Sequence, residues 1–157
     1  MDEQLSPPLW IDTTTAVTNL AEKLEHNSRI AIDTESNSLH AYQEQVCLIQ
    51  FSIPGTDFLV DPLKIKDLKA LAQIFSSPAT EKIFHASEYD IICLKRDHHF
   101  EFANIFDTMI AARVLGVREI GLNSLLQQEF GVELDKKYQK ANRSEERRVG
   151  KECRSRW

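Results

Sequence analysis

The sequence predicts a mixed α/β sheet with helices on its faces, and three observations carry that expectation. Between Arg29 and Asp61, three strand-like apolar runs follow one another with short connections. Beyond them, helical and strand patterns alternate: "KIKDLKALAQIFSS", then "EKIFHA", then "EYDIICLKRD". A chain of 157 residues, 42% hydrophobic and 27% charged, has the length and composition of one globular domain with a sizeable core.

Each element has a local reason. "LWID" is a short apolar stretch, after which Asp12 or Thr13 can cap a helix over "TTAVTNLAEKLEHNS", with Ala16, Leu20 and Leu24 on one face. "RIAIDTE" and "VCLIQFSI" (Val46 to Ile53) read as strands. Pro54-Gly55 is a turn, and "DFLVD" (Asp57 to Asp61) is a third strand, so an antiparallel meander is expected. In "KIKDLKALAQIFSS", Leu68, Leu71, Ala72 and Phe75 recur at helical spacing, with Pro78 beyond the end. "EKIFHA" (Glu81 to Ala86) is again strand-like. Ser87 is placed to cap the next helix, for which Ile91, Ile92 and Leu94 are the expected apolar contacts. His98 and His99 fall in an expected loop. "FDTMIAARVLG" and "LNSLLQQEFG" read as helices ended by Gly116 and Gly131.

Charge and cysteine content narrow the function classes. The net charge of −5 hides an imbalance. Residues 143–157 hold six Lys and Arg against three Glu, while residues 1–142 hold 13 basic and 21 acidic residues, or −8. An acidic body does not bind nucleic acid through bulk charge, but it is compatible with a local basic groove or with carboxylates that hold metals. No apolar run reaches the length of a membrane span, and the acidic start "MDEQLSPPLW" lacks a signal-peptide core. Three cysteines, Cys47, Cys93 and Cys153, suggest neither a zinc site nor a disulfide framework, so a reducing, cytoplasmic setting is expected.

The chemistry concentrates in "RIAIDTESNSL". Alternation along a strand puts Asp33 and Glu35 on one face, with Thr34 on the other. Two adjacent carboxylates repel unless a cation or a shared proton intervenes. A solvated strand end is the competing explanation, but the pair follows a run that looks buried, where an unpaired charge is costly. Asp90 falls in the first turn of a helix, where the dipole alone would favour it by ~0.3–1 kcal/mol. His85, at a strand end, is either a satisfied core histidine or a contact to phosphate.

Taken in order, "IAIDTES", "KIFHASEYDIICL" and "NIFDTMIAARVLG", followed by "GLNSLLQQEFGVELDKKYQKAN", resemble the ribonuclease D-like branch of the DEDD 3′–5′ exonuclease superfamily. The resemblance covers roughly Arg29 to Asn142. It implies a ribonuclease H-like fold and hydrolysis of terminal phosphodiester bonds of RNA or single-stranded DNA by a two-metal mechanism. Asp33, Glu35 and Asp90 would then be the catalytic metal ligands, for Mg²⁺ or Mn²⁺, with two ions in an intact domain. Leu39 and Tyr89 match positions near the terminal nucleotide, core packing being the alternative for both, and His85 joins them as a candidate substrate contact. Asp107 matches a recurrent position read as a helix cap or a support behind the metal ligands. The implied partner is the 3′ end of single-stranded RNA or DNA; no membrane and no protein partner is indicated.

One family motif is missing from this sequence: a Tyr-x-x-x-Asp or His-x-x-x-x-Asp that would bring a fourth carboxylate. Four residues after Tyr138 stands Asn142, and no Asp follows it. All residues of "RSEERRVGKECRSRW" match the translation of a common short-read sequencing adapter. The expectation is therefore a partial exonuclease domain over 1–142, incomplete at its C-terminus, with a non-native tail over 143–157. Such a chain should be weak or inactive, and a non-cleaving nucleic-acid-binding module is the competing function.

Overall fold

The computed structural model describes residues 6–37 and 44–133; the expectations for Leu39, Tyr138 and the tail lie outside them. Six strands, β1 (Leu9–Ile11), β2 (Arg29–Ser36), β3 (Val46–Ile53), β4 (Thr56–Val60), β5 (Glu81–Phe84) and β6 (Ile105–Asp107), form one sheet in the order β1-β4-β3-β2-β5-β6. Five helices accompany them: α1 (Thr14–Glu25), α2 (Lys69–Ser76), α3 (Glu88–His98), α4 (Thr108–Val114) and α5 (Leu122–Phe130). The meander β2-β3-β4 is antiparallel, as its short connections require, whereas β5 runs parallel to β2 and β6 parallel to β5. Among the described residues no helix is long and apolar enough to cross a membrane.

The structure extends or corrects the sequence reading at five places. "LWI" is a strand, paired in parallel with β4 at the sheet edge. Phe106 and Asp107 leave the expected fourth helix and join Ile105 in β6, because Asp107 starts α4 one residue later as its N-cap. Helix α2 begins only at Lys69, since the Asp67 carboxylate accepts the Lys69 N–H at 2.9 Å and turns the chain first. On α3, Cys93 and Leu94 are buried while Ile92 faces solvent. His98 is helical rather than in a loop, and His99 ends α3 in the left-handed conformation with its N–H on Lys95 O.

The core explains where the site sits. β3 is buried over Val46–Phe51, as a strand covered on both faces must be, and it lies beside β2 in the middle of the sheet. From α1, Val17, Leu20, Ala21 and Leu24 join Leu71, Ile74 and Phe75 of α2 in one apolar cluster that includes Ile30 and Ile32 of β2. Thr13 starts α1 by accepting the Ala16 N–H at 3.3 Å. Phe75 is the hub: its ring lies 4.7 Å from Phe100, 5.0 Å from Phe102 and 5.9 Å from Phe51, centroid to centroid. Phe75→Ala should therefore cost about 3–5 kcal/mol in a denaturant titration, the usual loss for emptying a buried phenylalanine site. Lys82 of β5 is fully buried, and its ammonium donates to Ser77 O at 2.5 Å and Thr80 O at 2.7 Å. Those bonds answer the desolvation that pushes its pKa down, and they pin the α2–β5 turn.

With the first half of β2 held in this core, its second half passes from apolar to polar. Residues Asp33 to Ser36 are only part-buried, and the pairing with β3 shifts register between Glu35 and Ser36. The hydrophobic pattern thus stops where the strand leaves the packed interior.

Candidate active site

The three acidic residues singled out from the sequence arrive from two elements. Asp33 and Glu35 pair with Gln50 and Leu48 of β3 and alternate with Thr34 along β2. Asp90 lies in the first turn of α3 and is 8% exposed. Burial, and next the charges of Asp90 and Glu35, push the Asp33 carboxyl from 3.8 up to about 7. Asp90 is also raised, first by burial, against which the Thr34 hydroxyl acts. The three residues thus share one electrostatic neighbourhood.

Thr34 is the part sequence reasoning missed. Its hydroxyl donates a short hydrogen bond to Asp90 Oδ1, so the residue expected to point away from the acids couples β2 to α3. No local signal could have found this pair, because its members are 56 positions apart.

Asp107 organises the floor beneath these residues. As N-cap of α4 it accepts the N–H groups of Met109 (2.8 Å) and Ile110 (3.1 Å). The same carboxylate reaches back to the N–H groups of Ala86 (3.2 Å) and Ser87 (2.7 Å), at the start of α3. Ser87 stands at the N-cap position of α3, but its own side chain makes no capping bond. Ala86 is held at φ 61°, a left-handed conformation that costs an alanine about 1–2 kcal/mol. Burial alone would raise the Asp107 pKa; the donors from Ser87, Ile110 and Ala86 outweigh it and hold the group at about 2. A permanently ionised Asp107 therefore fixes the turn that presents Tyr89 and Asp90.

His85 follows β5, its Nδ1 2.9 Å from the Thr108 hydroxyl. That hydroxyl donates its one proton to Phe84 O at 3.0 Å, so Nδ1–H of His85 must be the donor to Thr108. Nε2 is then the acceptor of a neutral ring, and burial, the main influence, keeps the pKa below its usual value. Tyr89 is 46% exposed, beside Asp90 in sequence. Its hydroxyl donates to the Glu44 carboxylate and lies 3.4 Å from the Ser36 hydroxyl.

A hard divalent cation suits this donor set, since carboxylate oxygens are its preferred ligands and its charge would offset the repulsion that raises Asp33. Among the described residues, no three His, Cys, Asp or Glu side chains stand together as a ready-made ligand group. The Thr34 hydroxyl competes with a cation for Asp90. The donor chemistry fits; the arrangement is not a closed cage.

Comparison with known proteins gives a consistent picture. Residues 8–154 match the model of a 3′–5′ exonuclease family. The chain is 36% identical over 138 residues to the exosome complex exonuclease RRP6 of Saccharomyces cerevisiae, which covers 87% of this chain and 19% of that protein. It is 36% identical over 133 residues to RRP6-like protein 3 of Arabidopsis thaliana, covering 84% and 15%. Thus the chain spans a fifth or less of the length of these relatives. Among solved structures, the catalytic core of RRP6 from Trypanosoma brucei superposes with a TM-score of 0.85 at 32% identity, over 92% of this chain and 40% of that one. Escherichia coli RNase D, described as an exoribonuclease involved in structured RNA processing, gives 0.82 at 29%, over 88% and 37%. The six-stranded mixed sheet with five helices is the ribonuclease H-like fold of those cores.

Proposed function

The chain belongs to the 3′–5′ exonuclease family, and from that premise we propose that it hydrolyses the terminal phosphodiester bond at the 3′ end of single-stranded RNA. The observation that carries the reading is the electrostatic convergence of Asp33, Glu35 and Asp90 at the polar end of β2 and the start of α3. The likeness to RNase D, described as an exoribonuclease, favours RNA over DNA.

Asp33, Glu35 and Asp90 would hold Mg²⁺ or Mn²⁺, two ions in an intact domain. Bound there, such ions activate water and stabilise the departing 3′ oxygen. The chain's own residues set the conditions. Asp33 must give up the proton that burial and its acidic neighbours favour, so loading strengthens as pH rises through about 7. Neutral His85 offers Nε2 as an acceptor, which suits a sugar hydroxyl better than a phosphate oxygen. Leu39 is carried as a substrate contact by resemblance alone. Slow cleavage is expected, because the Thr34 hydroxyl holds Asp90 Oδ1 and the described residues form no closed ligand group. The same open arrangement is what favours a non-cleaving single-strand-binding module as the second reading.

The test is digestion of a 5′-labelled single-stranded RNA with a free 3′ hydroxyl, in Mn²⁺ at pH 8. A slow ladder receding from the 3′ end, abolished by chelator and by Asp33→Asn, is expected. Retardation of the RNA without shortening would replace the enzyme by the binding module, and neither effect would overturn both.

A further inference from the structure

Arg96 of α3 stands at the centre of a polar bracket that the carboxylate chemistry leaves unexplained. Its guanidinium donates to Glu44 Oε1 at 2.6 Å and to both oxygens of the neighbouring Asp97, at 2.6 and 3.1 Å. Asp97 in turn accepts the Val46 N–H, at 2.8 Å, where β3 begins. The second Glu44 oxygen takes the Tyr89 hydroxyl, which also lies 3.4 Å from the Ser36 hydroxyl at the end of β2 and bonds to Cys93 of α3. Asn37 and Gln45 tie the two stems of the β2–β3 connection together, N–H to carbonyl at 3.2 Å and N–H to side chain at 2.8 Å. One guanidinium therefore links α3, the exit of β2 and the entry of β3.

An exposed ion pair ordinarily contributes little to stability. This one is different in what it holds. Glu44 accepts from Tyr89 and from Arg96, which together keep it ionised and so a constant acceptor. Held by its hydroxyl, the half-exposed Tyr89 ring stands next in sequence to Asp90. An aromatic ring fixed beside a phosphate-processing site is a stacking surface that serves any base.

We propose that Arg96 is a positioning residue for substrate: through Glu44 it fixes the Tyr89 ring beside Asp90, where the ring stacks on the last base of a single strand. The proposal rests on the exonuclease reading and deepens it. It predicts that the tether, and not only the ring, matters.

The probe is a single-stranded RNA ending in 2-aminopurine, a base whose fluorescence falls when it stacks, titrated with the intact chain in Ca²⁺. Wild type should bind and quench. Tyr89→Phe keeps the ring and loses the tether, and Arg96→Met cuts the tether at its other end. Each is expected to weaken binding about fivefold and to recover much of the fluorescence, and the double variant should be no worse than either alone. Tyr89→Phe is conservative enough to keep the fold, and its melting temperature should match wild type. Wild-type-like quenching by Tyr89→Phe, or losses that multiply in the double variant, would overturn the bracket while leaving the exonuclease reading intact. Failure of the wild-type chain to bind the probe would overturn both.

Discussion

Asp33→Asn is expected to raise the melting temperature of the metal-free chain at pH 7.5 while removing its response to Mn²⁺. The Asp33 carboxyl titrates at about 7 in the fold against 3.8 when unperturbed, with burial as the main cause and the Asp90 and Glu35 charges next. The folded state therefore binds the extra proton, and its stability falls as pH rises from the unfolded value through about 7. Ionising the group inside the fold costs roughly 2–4 kcal/mol, a penalty the amide avoids. In a chain of this size that corresponds to a gain of roughly 5–10 °C at pH 7.5, vanishing near pH 4, where the wild-type acid is protonated too. With 1 mM Mn²⁺ the order should reverse, because only the wild type binds the ion. Thermal melts at the two pH values, with and without metal, check this. A variant less stable than wild type in every condition would refute it.

Asp107→Ala should give the largest loss of stability of any single polar change considered. Four backbone N–H groups from two helix starts, those of Ala86, Ser87, Met109 and Ile110, lose their acceptor together. A lost N-cap and buried unsatisfied donors add up to roughly 3–5 kcal/mol. Asp107→Asn keeps one carbonyl oxygen and should lose about half as much. The sign of the pH effect is opposite to that of Asp33. Burial raises the Asp107 pKa, but the Ser87 and other N–H donors depress it further, to about 2, so its ionic contribution is present above pH 4 and disappears as pH falls through about 2. Urea titrations at pH 7 and pH 3 should show wild type losing more stability on acidification than Asp107→Asn. Because the turn Asp107 fixes also presents Asp90, metal affinity should fall in both variants even where they remain folded.

The contrast between these two aspartates shows what a sequence makes legible. Asp33 and Glu35 stand out because an apolar strand ends on them, whereas an acid in a first helical turn is ordinary, and Asp90 is singled out only by the resemblance of the motif around it. The β2–β4 meander was equally legible from its strand-like runs, short connections and the Pro54-Gly55 turn. Three-residue strands are too short to show a period, which is why β1 reads only as an apolar stretch and Phe106-Asp107 of β6 as the start of the helix after it. Nor does local pattern indicate that Thr34 meets Asp90, or that Arg96 meets Glu44, 52 positions away. Those partnerships depend on how α3 is set against the exits of β2 and β3, and only the assembled sheet specifies that.

The most direct test of the account is calorimetric titration of Mn²⁺ into the intact chain at pH 8 and pH 6, beside Asp90→Asn at pH 8. Saturable binding at pH 8 that weakens at least about tenfold at pH 6, where it releases protons, and is lost at pH 8 in Asp90→Asn is the predicted result. Binding of equal strength at both pH values, or binding untouched in Asp90→Asn, would mean that the acids at the end of β2 and the start of α3 are not a metal site.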